Sequence, residues 1–101
     1  MGGRDGERAG TAYGTMRLDK FLWFARFAKT RSLAQDLVER GRFRIDGRPV
    51  DRAAAAVRIG NILTFVAHHG EVRTIRVEIL PIRRGPPSEA QACYQELLVG
   101  E

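Results

Sequence analysis

Between Leu18 and Ile45 the spacing of apolar side chains changes from three-and-four to two, and that change restricts the folds open to the chain. Leu18, Phe21, Leu22 and Ala25 lie at i, i+3, i+4 and i+7, the period of one buried helix face, with Lys20 and Arg26 off the stripe. A helix over 18–28 is predicted. After the loop Lys29-Thr30-Arg31, Thr30 or Ser32 can cap a second helix that turns Ala34, Leu37 and Val38 inward and Gln35 and Glu39 outward. Gly41 is placed to end that helix as the first residue past its cap. Arg42-Phe43-Arg44-Ile45 then alternates, with Phe43 and Ile45 toward the core and Arg42 and Arg44 on the other face, and Asp46-Gly47 is a tight-turn signal. Two helices followed by a small sheet make the fold class α+β.

Further along, 57–67 reads as strand with Gly60-Asn61 as a turn or bulge, and His68-His69-Gly70-Glu71 reads as the next turn. Ile75, Val77 and Ile79 against Thr74, Arg76 and Glu78 make another period-two strand, which Pro81 ends. Three or four mostly antiparallel strands are expected. Arg83-Arg84-Gly85-Pro86-Pro87 reads as a linker, and Ser88-Glu89-Ala90-Gln91 as a capping box opening a short C-terminal helix with Ala90, Tyr94, Leu97 and Leu98 on its apolar side. Residues 1–15 hold five glycines, no aliphatic run and no net charge, the composition of a flexible leader. The expected division is thus a leader over 1–15, a domain over 16–82, and a linker with a terminal helix over 83–101.

Charge gives the first functional constraint. The chain carries 17 Lys or Arg against 12 Asp or Glu, and residues 16–60 hold eleven of the former and five of the latter, a local excess of +6. The rest of the chain sums to −1. A basic region this localised, and richer in Arg than in Lys, matches a phosphate backbone better than it matches a solvated charged face. The residues expected to contact a nucleic-acid backbone are Arg17, Lys20, Arg26, Lys29, Thr30, Arg31, Ser32, Arg42 and Arg44. The N-terminus of the second helix would add unpaired N–H groups and a positive dipole end to the 30–32 corner.

Other chemistries are poorly represented. Asp19 reads as a first-turn residue that orients Arg17, and Asp46 as the first residue of its turn, with no second carboxylate placed for acid–base work. His68-His69 lacks a ligand cluster at metal spacing, so no metal and no cofactor are expected. Cys93 is the single cysteine and reads as a small buried side chain in a reducing compartment. Trp23, Phe24 and Phe27 widen the apolar surface of the first helix; core packing is the ordinary outcome, base stacking the functional one. No apolar run approaches the roughly 20 residues of a membrane span, and no small-molecule substrate is implied. Cytoplasmic localisation, no enzyme activity and a monomer are the expectations.

The ordered set R-L-D-K-F-L at 17–22, T-R-S-L-A at 30–34, L-V-E-R-G at 37–41 and I-D-G at 45–47 resembles the RNA-binding domain typified by small-subunit ribosomal protein S-four, the αL motif. The longer runs 20–31 and 83–90, with Tyr94-Gln95-Glu96, are similar to ribosome-associated heat-shock members of that family. The resemblance implies the αL arrangement of two helices on a small antiparallel sheet. It also implies ribosomal RNA and the large ribosomal subunit as partners, and a role in recycling free subunits that carry a nascent chain on tRNA. Two departures stand out. This chain has Asp46-Gly47 where Asn-Gly is common in the family, and Gly60-Asn61 where Gly-Asp is often found. The competing classes are an RNA-targeting subunit of an RNA-modifying enzyme and a duplex DNA binder. The outward positions Gln35, Asp36, Glu39 and Arg40 are too mixed in charge for a DNA-recognition helix.

Overall fold

A computed structural model describes residues 14–67 and 69–98. The leader and His68 therefore lie largely or wholly outside the described residues. A two-residue strand β1 (Met16–Arg17) leads into α1 (Leu18–Phe24), and α2 (Arg31–Glu39) follows. The strands β2 (Phe43–Ile45), β3 (Arg48–Val50), β4 (Ala56–Val57), β5 (Ile62–Val66) and β6 (Val72–Val77) come next, then α3 (Pro87–Gln91) and β7 (Tyr94–Glu96). The main sheet has the order β3-β2-β5-β6-β7 with every neighbouring pair antiparallel, while β1 and β4 pair separately. The α+β expectation holds, with more strands than the sequence pattern indicated.

The helical stripe is buried as its period requires: Leu18, Phe21 and Leu22 have no exposed surface, and Ala25 is buried beside them. Ala34 and Val38 bring α2 onto the same core, which the sheet completes with Phe43, Leu63, Phe65, Ile75 and Val77. Phe43 and Phe65 stack with ring centroids 5.1 Å apart, and Phe27 meets Phe65 edge-on at 5.4 Å. These contacts fix the helix pair against the sheet, and hence fix where each flank of α2 points.

α1 is shorter than the predicted 18–28. It closes in a Schellman arrangement, with Arg26 N–H donating to the Trp23 carbonyl and Phe27 N–H to the Leu22 carbonyl, and Arg26 occupying the left-handed position at φ 66°. That position normally takes glycine, so the sequence carries no stop signal there. The clamp comes from afar: Arg84 Nε donates to the Trp23 carbonyl at 3.0 Å and Arg26 Nε to the Gly85 carbonyl at 2.6 Å. α2 follows its sequence signals more closely. The Thr30 hydroxyl caps it by accepting from Leu33 N–H at 3.1 Å, and Gly41 ends it at φ 83°.

The Asp46-Gly47 turn joins β2 to β3 as a two-residue hairpin, with positive φ at both positions (52° and 83°) and Ile45 paired to Arg48. The predicted 57–67 strand is two strands in two sheets, separated by the turn at Gly60 (φ 97°). β6 ends at Val77, so Ile79 is exposed rather than inward, and Thr74, expected outward, is buried. The terminal helix is confined to Pro87–Gln91, capped by Pro86 without a side-chain bond, so no capping box forms at Ser88. Tyr94 to Glu96 extend along β6 as an edge strand, and the Tyr94 ring packs 4.5 Å from Phe27. Sheet hydrogen bonds and that ring contact outweigh a helical spacing only a few residues long.

Candidate nucleic-acid interface

The cationic side chains are arranged around α2, and the first group is organised by a buried acid. Asp19 has no exposed surface. Its Oδ1 accepts from Arg17 Nε at 3.0 Å, and its Oδ2 accepts from Arg17 Nη2 at 3.0 Å, from Gln35 Nε2 at 3.0 Å and from Arg31 Nε at 3.4 Å. Burial pushes the carboxyl pKa up, but the hydrogen bonds from Arg17, Gln35 and Arg31 outweigh it and hold the group well below the usual carboxylate range. The acid is thus ionised and pins Arg17 through Nε and Nη2 and Arg31 through Nε alone. Each guanidinium has five N–H donors in a fixed fork, so their outer donors remain directed at solvent. Asp19 does orient Arg17, as expected, and it orients Arg31 as well.

Gln35 was expected to point outward, and its contact with Asp19 is what the sequence reading missed. The available signal was its position four residues after Arg31, on the same side of the helix. Lys20 is half-buried on α1 with Nζ 5.5 Å from the centre of the Phe24 ring, next to Trp23, whose ring lies 5.5 Å from that of Phe24. Both aromatic residues are half-buried against the core. Ser32 and Thr30 are exposed at the start of α2, beside Lys29.

A second group lies on the other flank. Arg26 and Lys29 line a hollow with Leu33, Asp36 and Arg40, and Arg42 and Arg44 line an adjoining one; Val66 contributes to both. Arg44 Nη1 also donates to the Gly47 carbonyl at 3.1 Å, which holds its side chain along the hairpin. The nine predicted residues therefore fall into two groups, Arg17, Lys20 and Arg31 toward α1, and Arg26, Lys29, Arg42 and Arg44 on the far flank. Thr30 and Ser32 stand between them.

The two departures from the family pattern turn out to touch each other. Asp46 Oδ2 accepts from Asn61 Nδ2 at 2.8 Å and its Oδ1 accepts from Ile62 N–H at 2.8 Å, while Asn61 Oδ1 accepts from Arg58 N–H at 2.7 Å. The Asp46 charge is therefore committed to the Gly60-Asn61 turn instead of standing unpaired beside the arginines. An acid at one turn and an amide at the other are both still present, with their positions exchanged.

Cys93 is buried, its Sγ 3.5 Å from the Glu89 carbonyl oxygen, and its thiol pKa is raised by burial and by Glu89, so it is a poor nucleophile. No group of three or more His, Cys, Asp or Glu among the described residues is arranged to hold a metal. No described helix is long and apolar enough to cross a membrane.

A helix pair on an antiparallel sheet, with cations gathered round the second helix and a buried acid fixing two of them, is the arrangement of a compact αL-type module. The chain belongs to the S4 domain family, whose model matches residues 16–63. Within it the chain is similar to heat shock protein 15 of Escherichia coli (strain K12), 38% identical over 80% of this chain and 59% of that protein. It spans about three fifths of the length of that curated relative. It is also 34% identical to the RQC P-site tRNA stabilizing factor of Halalkalibacterium halodurans, over 81% of this chain and 89% of that protein. A solved structure of Vibrio cholerae heat shock protein 15, described as trimeric, superposes with a TM-score of 0.75 at 40% identity and covers 82% of each chain.

Proposed function

We propose that this chain is an RNA-binding protein of the ribosome, without catalytic activity of its own, that associates with ribosomal RNA of the large subunit in the cytoplasm. The observation that carries this reading is the coincidence of charge and fold: the +6 excess over residues 16–60 falls wholly within the 16–63 span of the S4 domain match. Arg17 and Arg31, fixed by Asp19, offer their outer N–H donors to phosphate oxygens, and the exposed Lys29, Ser32 and first turn of α2 supply further donors. Arg42 and Arg44 extend the contact along β2. Such contacts recognise structured RNA by shape and backbone rather than by base sequence.

The finer role we propose is recycling of free large subunits that carry a nascent chain on tRNA. Similarity to heat shock protein 15 and to a P-site tRNA stabilizing factor supports that role and a link to stress. The test is sedimentation of the tagged protein through a lysate gradient beside an Arg31→Ala/Arg44→Ala variant. Co-sedimentation with free large subunits, lost in the variant, is expected. A protein that stays at the top of the gradient at low salt would refute the ribosomal reading.

A further inference from the structure

The far flank of α2 carries a feature that phosphate binding does not explain. Leu33, Leu37 and Arg40 recur at i, i+4 and i+7, about half a helical turn from Arg31 and Gln35, so they face away from Asp19. Together with Phe27 and Val66 they enclose a hollow of about 490 Å³. Most of its lining surface is apolar, and Leu33 is left 49% exposed there, an unusual position for a large aliphatic side chain beside a cationic surface. Arg26, Lys29 and Arg40 stand round the rim, and Lys29 and Arg40 make no ion pair among the described residues. Phe27 is a rigid wall, held by Tyr94 at 4.5 Å, by Phe65 at 5.4 Å and by the Arg73 guanidinium 5.1 Å over its ring.

A phosphate alone would satisfy the rim and leave the apolar walls wet. A purely apolar group would leave the cations unused. The occupant that uses both is flat, apolar on its faces and anionic at one end, which describes a nucleotide. Asp36 refines the choice. Its carboxylate lines the hollow and would repel an acidic side chain, but it can accept from the amino or imino group of a base. A volume of this size also falls in the range of sites that enclose a single small ligand.

We propose that this hollow receives one unpaired nucleotide of the bound RNA, its base against Leu33, Leu37 and Phe27 and its phosphates on Lys29 and Arg40. The proposal rests on the RNA-binding reading above and adds to it a preference for RNA with an extruded base. Unstacked bases held on protein side chains are how structured RNA is distinguished where its deep groove cannot be read. The adjoining hollow of about 310 Å³, lined by Arg42 and Arg44 and reached past Val66, continues the path for the flanking backbone.

The experiment compares a fully paired RNA hairpin with the same hairpin carrying one unpaired 2-aminopurine, at low salt, by direct binding and by 2-aminopurine fluorescence. The full chain should prefer the second by about tenfold, as expected for burial of one base, with a change in fluorescence. Leu33→Ala should abolish the preference and the fluorescence change while paired-hairpin binding stays the same, and Leu33→Phe should keep both. Equal binding of the two hairpins by the wild type overturns the nucleotide site and leaves the RNA-binding reading standing. Loss of competition by an acidic amphipathic peptide in Leu33→Ala, with equal hairpin binding, reassigns the hollow to a peptide and also overturns it. If neither hairpin binds, the RNA-binding reading itself fails.

Discussion

Replacing Asp19 by Asn should destabilise the domain and should do so in a pH-dependent way. The carboxylate is fully buried and accepts from Arg17, Arg31 and Gln35. An amide keeps one acceptor but turns an N–H₂ group toward a cluster made only of donors. Removing one partner of a buried pair costs roughly 3–5 kcal/mol when the other charge is left dry. Here the side chains of Arg17 and Arg31 are 48% and 39% exposed, so water recovers part of that loss. About 2–3 kcal/mol is therefore expected, a large part of the roughly 5–15 kcal/mol available to a domain this small. In urea, with a slope of about 1.5 kcal/mol per molar, the midpoint should fall by about 1.3–2 M with the slope unchanged. Because the folded carboxyl is depressed below its ordinary value of 3.8, its contribution is complete above that value and is lost as pH falls below it. The gap between wild type and Asp19→Asn should be constant above about pH 5 and should narrow below about pH 4. A loss under about 0.5 kcal/mol, or a gap that widens in acid, would refute the account of Asp19 as an ionised hub.

Two further perturbations address the turns and the helix end. Asn61→Asp places two carboxylates face to face and should cost about 1–2 kcal/mol, whereas the exchanged pair Asp46→Asn/Asn61→Asp can remake every bond and should recover most of it in thermal or urea melts. An additive double variant would show that the contact contributes nothing. Arg26→Ala keeps the left-handed backbone but loses the bond to Gly85, and should cost about 1 kcal/mol, while Arg26→Gly relieves the strain and should be close to neutral in the same assay. If both substitutions are equally damaging, the side-chain clamp, and not the backbone, sets the cost.

How far the sequence could be read depended on whether a signal was local. Leu18, Phe21, Leu22 and Ala25 repeat with the helical period and are all buried; Thr30 caps, Gly41 stops, and Asp46-Gly47 turns because each acts on its immediate neighbours. α1 ends early for a reason written sixty residues away, in Arg84 and Gly85, at a position where an arginine takes a glycine's conformation. Tyr94, Leu97 and Leu98 have helical spacing by coincidence of a short run, and only the free edge of β6 decides that Tyr94 to Glu96 form a strand. In the candidate site, the cationic residue types were evident from composition, but their partition about α2 was not. Gln35 read as an outward surface position until the orientation of the helix was fixed by Ala34 and Val38.

The central claim is that cationic side chains on both flanks of α2 hold RNA through its phosphates. The most direct measurement is the salt dependence of binding to structured RNA for the wild type, Arg31→Ala and Lys29→Ala. The account predicts that affinity falls by orders of magnitude between low and moderate ionic strength, and that each substitution weakens binding and reduces the log–log slope by about one. Affinity that barely changes with salt, or slopes that both variants leave untouched, would contradict it.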